Sequence, residues 1–303
     1  MIFPELKIDI LSNKIYSFTG IDTLSEAFDK KRFKNYPYPI EYRYNSRGFR
    51  DAEWPESVDE LKNCYWCFGD SFTSGVGSPL EHTWPYLLQQ QTGTRCINIS
   101  LDGASNDWIA RNARHVISQL APAAVFVQWS YLQRGESENS LLPDNERRIY
   151  DKHMSLEKQL NNFIENFNSV DKAASDSGTL LCHSMIPQSQ ISTSNEEAQS
   201  LWDIVRGSDW PKEFPKTTSE LLELPPKILS ELKNSYLHAY DSVSNAIFRL
   251  ARPDDFDLIK HVQEDRKNFI SYQQIDLARD GWHYDIKTAT KVVEQFLMLL
   301  NYD

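Results

Sequence analysis

The chain has 303 residues and a formal net charge of -11, with 40% hydrophobic and 25% charged residues. That length holds one or two domains and buries a core without disulfide staples. A mean hydropathy of -0.54 and the lack of any long apolar run exclude a membrane-spanning helix, and the acidic balance argues against nucleic acid as a partner.

Residues 1–60 are rich in Tyr, Phe, Pro and charge, and include the run Tyr42 to Arg50. They read as an N-terminal extension packed on a domain spanning 61–303. Met1 to Ile10 has no basic stretch followed by an apolar one, so no secretory leader is expected. Beyond residue 60, apolar runs alternate with helical spacing. Cys64–Phe68 predicts a buried strand, Trp84–Gln91 a helix, Cys96–Ser100 a second strand and Asn106–Leu120 a helix. Ala123–Trp129 predicts a third strand, Ser155–Ser177 a long helix, Thr179–His183 a fourth strand and Phe256–Ile259 a fifth. A last helix is predicted over Ile286–Leu300. Residues 185–255 interrupt the alternation and read as a large insertion, either a lid over the site or a decoration. Alternating strands and helices predict an α/β fold: a parallel sheet of about five strands between two helical layers. Ligands then belong at the carboxyl ends of the strands.

The four cysteines include Cys64 and Cys67, a C-x-x-C pair. Two residues three apart on one strand point to opposite faces, so packing is expected rather than metal or redox chemistry. No metal or organic cofactor is expected. Buried, reduced thiols favour a cytoplasmic setting.

Ser71 stands in the turn Phe68-Gly69-Asp70-Ser71-Phe72, directly after the first predicted strand. A serine hydroxyl needs a base, and the base needs an orienting acid. Of the seven histidines, His283 follows Asp280 by three residues in a loop ahead of the terminal helix. That spacing lets the carboxylate hold Nδ1–H and leaves Nε2 for the serine.

Gly69-Asp70-Ser71-Phe72 resembles the first sequence block of the GDSL/SGNH hydrolases, and Asp280–His283 resembles the last. Asn98 to Asn106 resembles the second block, in which Gly103 matches the glycine whose N–H holds an oxyanion. The resemblance covers about residues 62–135 and 256–300. It implies a flavodoxin-like sheet and a catalytic Ser71, Asp280 and His283, with the Ser71 and Gly103 N–H groups as oxyanion donors. The family's third block carries an Asn that completes the oxyanion hole, and none stands at the end of the third strand here. Ser130 and Asn106 are the replacement candidates, with Tyr131 as another hydroxyl.

Among other residues, Arg134 and Glu136 are expected as a surface ion pair. Arg47 and Arg50 are expected to tie the extension to the core, and Asp102 and Asp107 to be solvated or capping. Trp202, Trp210 and Trp282 suit either sugar stacking or local packing, and His183 is expected near the site without a catalytic part. The implied activity is hydrolysis of a carboxylic ester, with a carbohydrate O-acetyl or other small-acyl ester as substrate. The alternatives are an acyltransferase using the same three residues, or a glycan-binding protein that keeps the fold.

Overall fold

The structure is a computed structural model. It describes residues 3, 5–17, 40–131, 134–136, 148–150, 156–186, 208, 211–213, 225, 268–270, 272, 274–280 and 283–300. Residues 1–187 and 268–303 form one compact unit, and 188–267 form another. The second unit thus starts and ends later than the 185–255 insertion read from the sequence. Trp202, Trp210, Trp282 and the Phe256–Ile259 run lie outside the described residues.

In chain order the described elements begin with a small antiparallel pair, β1 (Ile15–Tyr16) and β2 (Tyr42–Arg43). Next come α1 (Val58–Asn63), β3 (Tyr65–Gly69), the one-turn α2 (Ser71–Ser74) and α3 (Trp84–Thr92). They are followed by β4 (Cys96–Ser100), α4 (Asn106–Leu120) and β5 (Ala124–Trp129). A second antiparallel pair, β6 (Arg134–Glu136) and β7 (Arg148–Tyr150), leads to α5 (Leu156–Ser177) and β8 (Leu180–Met185). The last elements are β9 (Phe269–Ile270) and α6 (Ile286–Leu300).

Five strands make one parallel sheet in the order β4-β3-β5-β8-β9. Counted along the sheet's own strands this is 2-1-3-4-5, the flavodoxin-like order, with its switch point between β3 and β5. Among the described residues the fifth strand is Phe269–Ile270. It pairs through only two residues, His183 to Phe269 and Ser184 to Ile270, so it leaves no periodic pattern to read.

Strand alternation builds the three layers. Phe126 of β5 meets Phe296 of α6 (centroids 4.9 Å apart) and Trp84 of α3 (6.5 Å) on one face. Trp129, three residues on, faces the other way and meets Phe163 and Phe167 of α5. Trp129 Nε1 also donates to His183 Nδ1 (3.1 Å), whose Nε2 donates to Asp171 Oδ1 (3.0 Å). Indole nitrogen is donor only, so this bond fixes His183 as the Nε2–H tautomer. His183 is fully buried mid-strand among aromatic rings, and it is a packing residue.

Helix α4 starts where Ser105 accepts the Trp108 N–H at 3.2 Å, so Ser105 caps it and Asp107 does not. Asp107 instead accepts from Asn162 and Asn166 and ties α4 to α5. The four cysteines are buried and free, and burial pushes the Cys64 thiol up to about 11. Among the described residues no helix is long and apolar enough to cross a membrane.

The start of α6 is held from a distance. Asp276 accepts the N–H groups of Asp285 (3.2 Å), Lys287 (2.8 Å) and Thr288 (3.1 Å), and the Thr288 hydroxyl (2.5 Å). These are the N–H groups a helix start leaves without intrahelical partners. The carboxylate also suits the positive end of the helix dipole. Asp276→Ala is expected to cost about 2 kcal/mol, read as a lower urea midpoint at unchanged slope. A midpoint equal to the parent's would show that the cap contributes nothing.

Candidate active site

Strand β3 ends at Gly69, and Asp70 and Ser71 follow at its carboxyl end. Asp70 is the N-cap of α2: its Oδ1 accepts the Phe72 N–H at 2.9 Å. Ser71 is the first residue of that turn. Its hydroxyl is 2.8 Å from His283 Nε2. On the other side of the ring, His283 Nδ1 contacts Asp280 Oδ2, and Asp280 Oδ1 accepts the His283 N–H at 3.1 Å. With Nδ1–H given to the carboxylate, Nε2 is the acceptor for the serine proton. The Phe72 ring lies 4.5 Å from the imidazole centroid and limits its rotation. Asp280 is fully buried, Ser71 and His283 nearly so.

Two loops far apart in sequence are locked together here. The Arg279 N–H donates to Gly77 O at 3.0 Å, and the Ala278 N–H donates to His283 O at 2.7 Å. Gly77 has φ +82°, and a Cβ there would sit 2.8 Å from the Ala278 Cβ and 3.0 Å from Asp280 Oδ1. Both the backbone conformation and the close approach demand glycine. The next residues continue the tie: Ser78 Oγ donates to Asp285 Oδ1, and His82 Nδ1 lies 2.8 Å from the same oxygen.

The N-terminal residues brace this loop. Tyr42 Oη accepts the Gly77 N–H at 2.8 Å. Arg50 is buried, lies over the Tyr42 ring, and donates to the carbonyls of Ser74 (2.9 Å), Gly75 (2.6 Å) and Ser78 (2.9 Å). It thus binds backbone carbonyls around the serine turn. Arg47 donates to Phe3 O and lies over Trp54.

Gly103, with φ +74°, stands in the turn after β4. Neither the Ser71 N–H nor the Gly103 N–H donates to another described residue. The two replacement candidates for the third donor are engaged elsewhere. The Ser130 hydroxyl hydrogen goes to Asp70 Oδ2 at 2.7 Å. The Asn106 amide donates to the carbonyls of Ser130 (3.3 Å) and Tyr131 (3.4 Å), while its oxygen accepts the Ser130 N–H at 2.8 Å. In this structure both side chains tie the segment after β5 to its neighbours through these hydrogen bonds. The Arg134–Glu136 surface pair is also absent. Arg134 is buried on Asp70 (2.7 Å), and Glu136 pairs with Arg111.

The sequence drew notice to Arg50 and Arg134 but not to Tyr42, and it named the partners of none of them, because those partners are distant along the chain. Asp70 carried a local signal: an Asp just ahead of a short helical turn is a cap signature.

No family model matches the chain, and no curated protein matches it. Several solved structures are similar to it. One is the psychrotrophic esterase EstA from Pseudoalteromonas sp., inhibited by monoethylphosphonate. It is 14% identical with a TM-score of 0.38, the match covering 78% of this chain and 96% of that one. A lipolytic protein of the G-D-S-L family from Desulfitobacterium hafniense DCB-2 is 13% identical (TM-score 0.38, covering 78% and 99%). TesA is likewise 13% identical (TM-score 0.36, covering 78% and 98%).

Burial pulls the His283 pKa down, but the Asp280 charge and hydrogen bond, with the charges of Asp70 and Asp102, outweigh it and leave a net rise. The imidazole is therefore expected to titrate above the ordinary value of about 6.5. The sign for stability follows: the protonated pair stabilises the fold fully below that ordinary value, and the contribution is lost as pH rises through the raised one. Nitrogen-15 NMR of the histidine rings checks this. Asp280→Asn should bring the His283 midpoint down, and a parent midpoint at or below about 6.5 would contradict the reading.

Proposed function

We propose that this protein is a serine hydrolase that cleaves carboxylic esters by acyl transfer. The observation that carries the reading is the chain of contacts from Ser71 Oγ to His283 Nε2 and from His283 Nδ1 to Asp280, set just past the carboxyl end of β3. A hydrogen bond from serine to a base that is itself oriented by an acid is the arrangement that activates a hydroxyl nucleophile.

In the proposed reaction His283 takes the Ser71 proton as Oγ attacks the ester carbonyl. Asp280 holds the imidazole in the tautomer that leaves Nε2 as acceptor, and it stabilises the imidazolium that forms. The N–H groups of Ser71 and Gly103 receive the developing oxyanion. His283 then protonates the departing alcohol. Water, activated by the same imidazole, releases the acid from Ser71. With Ser130 and Asn106 occupied, two backbone donors carry the oxyanion. A missing third donor costs roughly 10²–10³ in rate, so a modest turnover is expected. Neutral imidazole is the active form, so the rate should rise with pH through the raised His283 midpoint.

The finer reading is a small-acyl ester, an O-acetylated carbohydrate among them. The tryptophans at 202, 210 and 282 are suited to stacking on sugar rings. An acyltransferase would use the same three residues with an alcohol in place of water.

Labelling with a fluorophosphonate probe tests the nucleophile. The parent should label and Ser71→Ala should not, with ester turnover down by about 10⁶. A folded parent that fails to label would overturn the reading. On p-nitrophenyl esters, acetate should be preferred over long acyl chains, and the reverse order would sink the small-acyl assignment. Ester product formed with added sugar at the expense of free acid would identify a transferase.

A further inference from the structure

Asp70 does more than cap a turn. Its Oδ1 holds the Phe72 N–H at 2.9 Å, while Oδ2 accepts from both Ser130 Oγ and Arg134 Nη1, each at 2.7 Å. Arg134 Nη1 also donates to Ser130 Oγ at 2.8 Å, which closes a triangle. Asp70 is fully buried and Arg134 is 8% exposed. The Arg134 guanidinium lies over the Tyr131 ring at 4.8 Å, and the edge of that ring meets Phe72. The residues after β5 thus reach the serine turn through the Ser130 hydrogen bond, the Arg134 ion pair and the Tyr131 ring.

Capping alone does not account for this arrangement. Asn or Ser caps a helix about as well as Asp and buries no charge. Burying a carboxylate and a guanidinium costs several kcal/mol in desolvation, which their attraction only offsets when the geometry is tight and further hydrogen bonds are made. The triangle therefore points to a use for the charge itself. The His283 ring contacts Asp280 and the Ser71 hydroxyl, and the charges of Asp70 and Asp102, after β3 and β4, act on it as well. Asp70 is the one of these carboxylates that Arg134 meets.

We propose that Arg134 is a positioning residue for the acyl-transfer reaction. It clamps Asp70, with Ser130 as the bridge, and so fixes the backbone of Ser71 and Phe72. Its charge also offsets that of the Asp70 carboxylate, which is buried at the start of the serine turn. This assignment rests on Ser71 being the nucleophile, and it gives the β5 end, where the family's Asn is missing, a supporting part rather than a donor's part.

The test is a double-mutant cycle in the full-length chain. It compares the parent, Arg134→Met, Arg134→Lys, Asp70→Asn and the double variant by second-order labelling rate with a fluorophosphonate and by the NMR titration of His283. Arg134→Met should label about 10²-fold more slowly, the cost of a small misplacement at a reacting atom. Arg134→Lys, which keeps a cation but not the planar fork, should recover to within about ten-fold of the parent. In the Asp70→Asn background, adding Arg134→Met should cost less than about three-fold, because the group it acts through is gone. Asp70→Asn keeps the cap and removes a charge that raises the His283 midpoint, so that midpoint should fall. Equal costs of Arg134→Met in both backgrounds, or labelling at the parent rate, would overturn the proposal. If Arg134→Met does not fold, the double variant and Ser130→Ala leave no buried charge stranded, and Ser130→Ala should slow labelling by about ten-fold. A parent that does not label sinks the hydrolase reading instead. The cycle is then read on the His283 midpoint, where non-additive displacements support the clamp and additive or null ones refute it.

Discussion

A carboxylate buried at the switch point of a parallel sheet must find partners on every side, and the structure around Asp70 is organised by that demand. Its two oxygens take three donors: the Phe72 N–H, the Ser130 hydroxyl and the Arg134 guanidinium. Meeting them joins the turn after β3 to the end of β5. The alignment is possible because β3 and β5 are adjacent and parallel, with Phe68 level with Val127. A shift of one residue in that register would turn Gln128 away from the core face and carry Ser130 out of reach of Asp70.

The same logic extends outward. Gln128, on the face of β5 opposite Trp129, accepts from Thr73 at 2.9 Å and donates to Tyr272 (2.6 Å) and Tyr284 (3.0 Å). Thr73 in turn accepts from Trp84. A polar side chain buried in a strand is tolerated only when its hydrogen bonds are made, and here they connect the serine turn to Tyr284, the residue after His283, and to Tyr272. Burial also drives the Tyr272 and Tyr284 phenols far above their ordinary range, which keeps them neutral hydrogen-bonding partners. Ser71 and His283 are 212 residues apart in sequence and 2.8 Å apart in space. What holds them is this polar scaffold, together with the Arg279–Gly77 backbone contact and the Asp276 cap on α6.

The residues before α1 belong to this scaffold. Arg50 and Tyr42 hold the stretch from Ser74 to Ser78 through backbone groups, so their effect does not depend on which side chains that loop carries. A guanidinium serves well here because its planar fork presents several donors at fixed angles to neighbouring carbonyls.

Much was legible along the chain. The helices Asn106–Leu120 and Ile286–Leu300 and the strand Cys96–Ser100 have the bounds that their periodicity predicts. Long amphipathic helices and all-apolar buried strands record their environment in every residue, so these elements can be read from composition and spacing. The sheet class followed from the alternation of such elements, and the pairing of Asp280 with His283 followed from local spacing. The two-residue strand Phe269–Ile270 left no pattern, since so short an element is made by its neighbour, His183 and Ser184 of β8. Nor did the sequence reveal that Ser130 and Asn106 would spend their donors on Asp70 and on the carbonyls of Ser130 and Tyr131, or that Arg134 would turn inward. Local sequence determined which side chains have the chemistry and which stretches form the frame. Only the tertiary structure decided which donor meets which acceptor, because a hydrogen bond forms with whatever group the packed sheet brings within about 3 Å, however far away it lies along the chain.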